Sequence, residues 1–585
     1  MDLEGAWTSS ETYRLQQDAE ALLLEGDAHV GLVLHHTDAS HRQLSHSLMK
    51  TTMADLSRIS RVVLPLLLGA VLVWSGCDDP APEPDTSEAP DWHHGVTYQV
   101  FVHPFADGSG DGIGDFDGLI QKLDYIDDMG FESIWLLPIH PSPSYHKYDV
   151  TNYWEVHPDY GTMDDFERLL DEAHDRDIRV VLDLVINHTA RDHPWFQQAV
   201  ADTTSDFFDF YIWEDEETVA SFADEEAGPD TDNIDFWHEV QDVDEVQEGL
   251  DKRYFGYFWG GMPDLNFDNP AVRDSVIAIG EYWLEKGVDG FRLDAAKHIY
   301  PDERAEDAHA WWEEFRAEME AVDEDVLLVG EVWDGPEVIA PFFSGLHSLF
   351  NFHLSEEIFD AFRTREGANI AERLVDMRAM YADVNPNFVD ATFLTNHDQP
   401  RIMSELDDMD DMRLAAHLLF TLPGAPYVYY GEEIGMYGEK PDPNIREPML
   451  WAPEEEDDLR TTWIDPEYST DETVTPVSEQ LDDEGSLLNL YRDLIALRSE
   501  HEALARGEIE AVSVESPALS VYERTSDTQT LLVAHNMDTE AHELTLPNEL
   551  ADTYTAIAYA SDDEIELDTD GTTLPPASTV ILATE

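Results

Sequence analysis

From Trp92 onwards, short apolar runs rich in β-branched and aromatic residues alternate with stretches such as 166–176 and 308–322, where apolar residues recur at helical spacing. Continuous apolar runs indicate strands that are buried on both faces, as in parallel sheets. The predicted strands are 95–105, 133–139, 178–186, 288–294, 326–333, 390–398 and 426–435. A further strand, the sixth of eight, is expected near 348–354. This pattern predicts a (β/α)8 barrel.

The spacing of the predicted strands indicates two additional domains. Strands three and four are about 100 residues apart, whereas a strand-helix-strand unit needs about 30. The acidic, aromatic segment 188–262 between them is therefore predicted to be a small domain inserted after strand 3. The barrel itself is assigned to 92–187 and 263–495. Alternating strands over 496–585 then predict a C-terminal antiparallel β-sandwich.

The N-terminal part of the chain carries a targeting pattern. Residues 62–73 form an apolar run that is short for a membrane span but typical of a signal-peptide core. Because the run ends in Trp-Ser-Gly-Cys, which resembles a bacterial lipobox, we interpret 49–77 as a lipoprotein signal peptide and expect Cys77 to carry a lipid anchor. A plain signal peptide and a short membrane anchor are the alternatives. Residues 78–91 are expected to be a flexible tether, and 1–48 an upstream mis-start or an unstructured segment.

The charge balance is strongly acidic. Asp and Glu number 127 against 32 Lys and Arg, for a formal net charge of -95 spread along the chain. Only seven of the cations are lysines. Concentrated salt would screen such self-repulsion, so we expect a halophilic protein, with an ordinary acidic protein as the alternative. The charge argues against nucleic-acid binding, which needs cations to neutralise phosphates.

The polar residues that end the predicted strands are the candidates for chemistry, because barrel active sites lie at the carboxyl ends of the strands. His188, Arg292 and His397 stand close to these ends. Four carboxylates also do so: Asp183, Asp294, Glu331 and Asp398. One such acid alone would more often be a cap or an ion-pair partner. A cluster of four costs free energy through repulsion and desolvation unless function requires it.

Two carboxyl groups in different protonation states can hydrolyse a glycosidic bond, one as an ionised nucleophile and one as a proton donor. We expect Arg292 to keep Asp294 ionised. We also expect the neighbouring carboxylates to raise the pKa of Glu331, so that Glu331 can donate a proton near neutral pH.

At these residues the chain resembles the α-amylase superfamily of retaining glycoside hydrolases. The matching segments are DLVINH (183–188), GFRLDAAKH (290–298), GEVW (330–333) and FLTNHD (393–398). The resemblance implies that Asp294 is the nucleophile, Glu331 the acid/base and Asp398 the transition-state stabiliser. It also implies contacts with the sugar at the cleavage site from four further residues: Tyr148, His188, Arg292 and His397. For Tyr148, an ordinary core tyrosine is the alternative.

Two further signals bear on specificity, and they conflict. MPDLN (262–266) resembles the marker of a group intermediate between oligo-1,6-glucosidases and neopullulanases, and Lys297-His298 resembles a pair in endo-acting amylases. Asp149 and Arg446 instead resemble a pair that blocks the pocket beyond one glucose in α-glucosidases. We favour an amylase that cleaves α-1,4 bonds of starch. An exo-acting α-glucosidase or oligo-1,6-glucosidase is the alternative, and a non-catalytic carbohydrate-binding lipoprotein is disfavoured because the catalytic carboxylates are present.

The segment DGSGDGIGD (107–115) places oxygen ligands at alternate positions, an arrangement suited to Ca²⁺. The ligands would be Asp107, Ser109, Asp111, the Ile113 carbonyl and Asp115. The segment lacks the glutamate that ends an EF-hand calcium-binding loop. A solvated acidic turn without a bound metal is the alternative. The matching loop of glucosidase-like superfamily members binds Ca²⁺, so the resemblance implies a structural calcium here.

The sequence as a whole indicates a secreted, extracytoplasmic monomer. Its expected partners are starch, maltodextrins and other α-glucans. No nucleic acid is expected, and membrane contact is expected only through the lipid anchor.

Overall fold

Eight short, buried strands close into a parallel barrel, as their apolar runs predict. The computed structural model describes residues 89–222, 230–241, 243, 245–567 and 572–584. The predicted signal peptide, Cys77, the segment 1–48 and most of the tether lie outside these residues. The strands in chain order are β1 Thr97–Val100, β2 Ser133–Leu136, β3 Arg179–Leu184, β4 Trp213–Asp215, β5 Trp237–His238, β6 Lys252–Phe255, β7 Gly290–Leu293, β8 Leu327–Gly330, β9 Ser348–Phe350, β10 Val389–Phe393, β11 Ala425–Tyr429, β12 Glu508–Ala511, β13 Leu519–Thr525, β14 Thr530–Asn536, β15 His542–Leu544, β16 Ala556–Ala560, β17 Thr572–Leu574 and β18 Thr579–Ala583.

The barrel order is β1-β11-β10-β9-β8-β7-β3-β2, with parallel pairing throughout. The strand expected near 348–354 is β9, so the eight-stranded prediction is confirmed. Apart from Arg179, every residue of these eight strands is buried. Packing on both faces explains why their sequences are apolar without alternation.

The helices lie in the connections between the strands. Those of eight or more residues in the described part of the chain are α1 Phe116–Met129, α2 Met163–His174, α3 Pro194–Ala201, α4 Pro270–Glu285, α5 Ala305–Val322, α6 Phe352–Thr364, α7 Ala368–Val384, α8 Met409–Thr421 and α9 Leu487–Glu500. Local signals set their ends: Asp115 caps α1 by accepting from Gly118 N, and Gly130 ends it at φ 88°. None of the described helices is both long and apolar enough to span a bilayer.

The segment after β3 forms the inserted domain. It contains a three-stranded antiparallel sheet in the order β4-β6-β5, with Val219, Trp237 and Phe255 in its small core. A bridge from His188 to Asp264 holds the two ends of this segment together, and a bridge from Tyr211 to Leu265 joins its interior to the second end. The insertion therefore begins and ends beside the carboxyl end of β3.

The C-terminal region forms antiparallel sheets, as predicted. One sheet has the order β12-β13-β14-β18-β16, and β15 pairs with β17 in a second. Strand β17 was not predicted from the sequence because its three residues, Thr-Thr-Leu, carry too little alternation. The core of this region includes Leu519, Leu532, Val580 and Leu582.

Candidate active site

The carboxyl ends of four barrel strands bring the predicted acids together. Asp183 lies within β3, and Asp294 and Glu331 directly follow β7 and β8. Asp398 follows β10 after a short turn in which Asn396 Oδ1 accepts from Asp398 N at 2.9 Å. Since parallel strands end at the same side of a barrel, residues far apart in sequence meet at this mouth.

One buried guanidinium holds three of these carboxylates. Arg292 Nη1 donates to Asp183 Oδ1 at 2.9 Å and to Asp294 Oδ1 at 2.7 Å. Arg292 Nη2 lies 2.8 Å from Glu331 Oε2, which also accepts from Ala295 N at 3.0 Å. The Arg292 side chain is 1% exposed. This single cation offsets the repulsion that would otherwise separate the acids.

Burial is the main influence on the protonation of these acids. It raises the pKa of Glu331 to about 7, opposed by Arg292 and assisted by the charges on Asp294 and Asp398. It raises the pKa of Asp294 as well, although Arg292 favours the ionised form. The expected rise for Glu331 is present, but its largest cause is burial rather than neighbouring carboxylates. Arg292 acts on Asp294 in the expected direction, because its charge and its hydrogen bond both favour the ionised carboxylate against the effect of burial.

A chain of hydrogen bonds orients the histidine of the FLTNHD segment. Gln99 Nε2 donates to His397 Nδ1 at 2.8 Å. His397 Nε2 then carries the ring proton, and it lies 2.6 Å from the hydroxyl oxygen of Tyr148. The Tyr148 hydroxyl in turn donates to Asp183 Oδ2 at 2.8 Å. Burial lowers the pKa of His397 to about 3, so the ring is neutral at pH 7. The rings of Tyr148 and His397 lie parallel, 5.6 Å apart.

Asp398 is held from the opposite side of the mouth. Arg446 Nη2 donates to Asp398 Oδ1 at 2.8 Å and lies 3.3 Å from Asp442 Oδ2. The other terminal nitrogen, Arg446 Nη1, donates to the Tyr145 hydroxyl at 3.2 Å. Burial disfavours ionisation of Asp398, but His397 and Arg446 outweigh it and hold the pKa of Asp398 well below its usual range.

Asp149 and Arg446, the two residues that resemble the pocket-blocking pair of α-glucosidases, are held by different partners. Among the described residues, the ion-pair partners of Arg446 are Asp398 and Asp442. Asp149 Oδ1 instead accepts from the Ser142 hydroxyl at 2.5 Å and from the Ser144 hydroxyl. Arg446 Nη1 donates to the Tyr145 hydroxyl, and Tyr145 directly follows Ser144, so Asp149 and Arg446 lie in the same part of the mouth.

His188 lies where the inserted domain joins the barrel. Its Nε2 is buried and has no hydrogen-bond partner within the described part of the chain. Burial lowers its pKa to about 4, so the ring is neutral at pH 7. The Phe258 ring packs against it with centroids 5.2 Å apart. The free nitrogen is suited to a hydrogen bond with a ligand hydroxyl.

Lys297 and His298 follow Asp294 on the β7 side of the mouth. Lys297 Nζ donates to Asp334 Oδ2 at 2.8 Å. Asp334 lies three residues beyond Glu331 in the chain. The His298 ring stacks on Tyr257 of the inserted domain, with centroids 4.0 Å apart. These contacts join the β7 and β8 loops to the inserted domain and form one wall of the cleft.

Two family models match most of the described chain. The family model of the α-amylase catalytic domain matches residues 99–507, and the model of the C-terminal domain of α-amylase SusG matches residues 519–581. The chain belongs to the α-amylase family. It is therefore a glycoside-hydrolase-type enzyme, as the strand-end carboxylates and their spacing predict.

Individual members of the family are similar over most of the chain. α-Amylase 3 of Dictyoglomus thermophilum is 40% identical over 462 residues, covering 79% of this chain and 88% of that protein. α-Amylase SusG of Bacteroides thetaiotaomicron is 30% identical over an alignment of 634 residues, covering 81% and 91%. The crystal structure of the α-amylase from H. orenii superposes with a TM-score of 0.75 at 39% identity, covering 84% of this chain and 100% of that one.

The loop 107–115 of this α-amylase-family chain is ordered by its own backbone. Asp107 Oδ2 accepts from Gly112 N at 2.7 Å, and Asp115 Oδ2 accepts from Ser109 N at 2.8 Å. Within the described ranges, no three acidic, histidine or cysteine side chains converge as a metal cluster. All the predicted ligands are nevertheless hard oxygen donors, so the donor chemistry fits Ca²⁺.

Several residues of the mouth were not predicted from the sequence: Gln99, Tyr145, Asp334, Asp442 and Phe258. Two of them carry a recognisable signal. Gln99 is a polar residue within an otherwise apolar buried strand, and Asp442 precedes Arg446 by one helical turn. Trp333, two residues beyond Glu331, stacks on Phe352 with ring centroids 4.4 Å apart and is 37% exposed.

Proposed function

We propose that this enzyme hydrolyses α-1,4-glucosidic bonds of starch and malto-oligosaccharides with retention of configuration. The observation that carries the proposal is that Arg292 contacts Asp294 through one amino group and Glu331 through the other. The two carboxyl groups required for glycoside hydrolysis thus face the same point of the mouth. The raised pKa of Glu331, about 7, supplies the protonated partner.

In the first step, an Asp294 oxygen attacks the anomeric carbon and forms an ester. The bond from that carbon to the glycosidic oxygen breaks, and the Glu331 proton passes to this oxygen. In the second step, Glu331 removes a proton from water, the water oxygen attacks the anomeric carbon, and Asp294 leaves as a carboxylate. Asp398 stabilises the positive charge that develops on the sugar ring in both steps, while His188 and His397 hold its hydroxyl groups.

The test is Glu331→Gln, which keeps the shape of the side chain but removes its proton donor. We expect turnover on maltoheptaose to be lost while maltoheptaose binding is retained. Glu432→Gln is the matched control, because burial also raises the pKa of Glu432, to about 8, but Glu432 contacts Tyr491 outside the cluster. Wild-type turnover in Glu331→Gln, or a β-anomer as the first product in proton NMR of the native enzyme, would refute the proposal.

Exo-acting α-glucosidase activity is the second candidate, favoured by Arg446 and Tyr145 beside Asp398 at one end of the mouth. The product profile separates the two. An endo-acting amylase releases a range of oligosaccharides from amylose, whereas an exo-acting glucosidase releases glucose from maltotriose and amylose alike.

A structural Ca²⁺ at the loop 107–115 is the second part of the proposal, supported by oxygen donors at alternate positions. The loop is tied to a distant segment, since Asp107 N donates to Leu459 O and Thr462 N donates to Gly112 O, both at 2.8 Å. Asp107, Ser109, Asp111, the Ile113 carbonyl and Asp115 would hold the ion. We expect EDTA to lower the melting temperature and Asp111→Asn to abolish this effect. An identical melting temperature with EDTA and with excess Ca²⁺ would contradict the site.

Lipid anchoring outside the cytoplasm is the third part, supported by the apolar run ending at Cys77. We expect the full chain to label with palmitate in a bacterial host and to fractionate with membranes. The Cys77→Ser variant should lose both properties. Labelling that survives this substitution would exclude Cys77 as the attachment site.

A further inference from the structure

A buried glutamine on the first barrel strand contacts the histidine of the cleavage site. Gln99 on β1 is 1% exposed, and its Nε2 lies 2.8 Å from His397 Nδ1. The His397 ring is itself fully buried, with the Tyr148 ring parallel to it at 5.6 Å and the Trp135 ring edge-on at 5.7 Å. Because these neighbours confine the ring, what can still vary is which of its two nitrogens carries the proton.

The oxygens around His397 Nε2 show where that proton lies. The carboxylate of Asp398, which Arg446 holds, has its Oδ2 3.2 Å from His397 Nε2. The Tyr148 hydroxyl oxygen lies 2.6 Å from the same nitrogen, and its own proton is directed to Asp183 Oδ2 at 2.8 Å. Both oxygens are therefore acceptors toward the ring, so the nitrogen that faces them carries the proton.

The amide of Gln99 matches this tautomer. Burial lowers the pKa of His397 to about 3, so the ring is neutral and has a single N–H proton to place. With that proton on Nε2, Nδ1 is an acceptor, and the amide NH2 group of Gln99 is the donor that faces it. A proton on Nδ1 would instead leave a lone pair of Nε2 facing the Asp398 carboxylate. The hydrogen bond at one ring nitrogen thus sets the protonation of the other.

We propose that Gln99 is a positioning residue for hydrolysis: its donation to Nδ1 keeps the His397 proton on Nε2, where the ring donates to a hydroxyl of the sugar at the cleavage site. This proposal rests on the proposed hydrolysis of α-glucans. Hydrogen bonds to sugar hydroxyls can strengthen in the transition state, so loss of this one should lower kcat more than it raises KM. The alternative role for Gln99 is to fill the barrel interior without directing the histidine.

The kinetic test removes or reverses the donor at residue 99. Gln99→Met keeps the length of the side chain but cannot donate, and we expect kcat on maltoheptaose to fall about tenfold with KM changed by less than about threefold. Gln99→Glu places an acceptor at Nδ1 and should lower kcat about a hundredfold, because it favours the opposite tautomer. Wild-type kcat in Gln99→Met, or a change confined to KM, would overturn the proposal.

The matched control is the same substitution at a second buried glutamine. Gln480 is 6% exposed, and its Nε2 donates to Ile434 O at 2.9 Å and to Thr475 O at 2.8 Å, outside the mouth. We expect Gln480→Met to lower the melting temperature and to keep the wild-type kcat. A fall in kcat equal to that of Gln99→Met would show that loss of any buried amide explains the effect, and would overturn the proposal.

A double-mutant cycle tests whether Gln99 acts through His397. In a His397→Asn background, Gln99→Met should lower kcat by less than about twofold, because the ring that Gln99 positions is gone. A loss of about tenfold in both backgrounds would show that Gln99 acts independently of His397, and would overturn the proposal.

Neutron diffraction separates this proposal from the proposed reaction, because it locates the proton without any turnover. In deuterated crystals of the enzyme, we expect a deuteron on His397 Nε2, none on Nδ1, and the amide ND2 group of Gln99 directed at Nδ1. If the wild-type enzyme does not hydrolyse maltoheptaose, the proposed reaction is wrong. If it does, and the deuteron lies on Nδ1, only the role of Gln99 is wrong.

Discussion

Two buried arginines show how differently this protein uses the same side chain. Arg292 at the barrel mouth is 1% exposed and contacts three carboxylates. Arg524 on β13 is fully buried, and its partners in the described part of the chain are backbone carbonyls: Leu504 O at 2.9 Å, Gly507 O at 2.8 Å and Thr421 O. Burial disfavours the charge of both, but the carboxylates raise the pKa of Arg292, whereas burial and Arg498 lower that of Arg524.

The difference lies in what each cation contacts. Two of the carboxylates around Arg292, Asp294 and Glu331, are the proposed reactive groups, and in that proposal both must remain available to a substrate. The carbonyls around Arg524 include the end of α8, where a helix terminates with unpaired acceptors and a partial negative charge. Arg498 extends this arrangement by donating to Phe420 O at 2.9 Å and Leu422 O at 3.0 Å. One region therefore supports chemistry, and the other joins the C-terminal sheet to the barrel.

Replacing Arg292 should have the largest effect. We expect Arg292→Lys to lower kcat on starch about a thousandfold, because a single ammonium cannot bridge Asp183, Asp294 and Glu331. Reducing-sugar release measures this loss, and circular dichroism checks the fold. A reduction of less than about tenfold would show that the acids do not depend on the guanidinium.

Replacing Arg524 should affect stability and leave chemistry largely intact. We expect Arg524→Met to lower the free energy of unfolding by about 3 kcal/mol, because several buried carbonyls lose their donor. Urea unfolding measures this change, and kcat at low temperature should stay near the wild-type value. Arg506→Met is the control, since Arg506 is 40% exposed and pairs with Asp91 at the surface. If Arg524→Met were as inactive as Arg292→Lys, the contrast between the two regions would disappear.

The pH dependence of activity tests the acids around Arg292 and not the contacts of Arg524. Burial raises the pKa of Glu331 to about 7, so its proton is retained below this pH and lost above it. We expect kcat/KM to be maximal below about pH 7 and to fall about tenfold per pH unit above it. Rates from pH 5 to 9 on one soluble maltodextrin measure the curve. A plateau extending to pH 9 would be inconsistent with Glu331 as the proton donor.

Salt should have the smallest effect, and it should act on the surface rather than on either buried arginine. Screening reduces repulsion among exposed acids but reaches buried pairs much less. We expect activity to be retained or raised in molar NaCl, with a higher melting temperature than in dilute buffer. Rapid inactivation in molar salt, with full activity in dilute buffer, would refute the halophilic interpretation.

Local sequence patterns are sufficient to predict the barrel, the inserted segment, the C-terminal strands and the acids of the mouth. These follow from local patterns: an apolar run predicts a buried strand, and a carboxylate at its end predicts a position at the mouth, because parallel strands share one direction. Asp294 and Glu331 could therefore be named before their contacts were known.

The partners of those residues depend on the three-dimensional arrangement of the chain and do not follow from local patterns. Arg446 pairs with Asp398 and Asp442 rather than with Asp149, and Gln99 orients His397 from a strand almost 300 residues away. The net pKa of Asp294 and the carbonyl contacts of Arg524 likewise depend on burial. The physical reason is that hydrogen bonds and desolvation depend on distances between atoms, and only closure of the barrel and docking of the domains fix those distances.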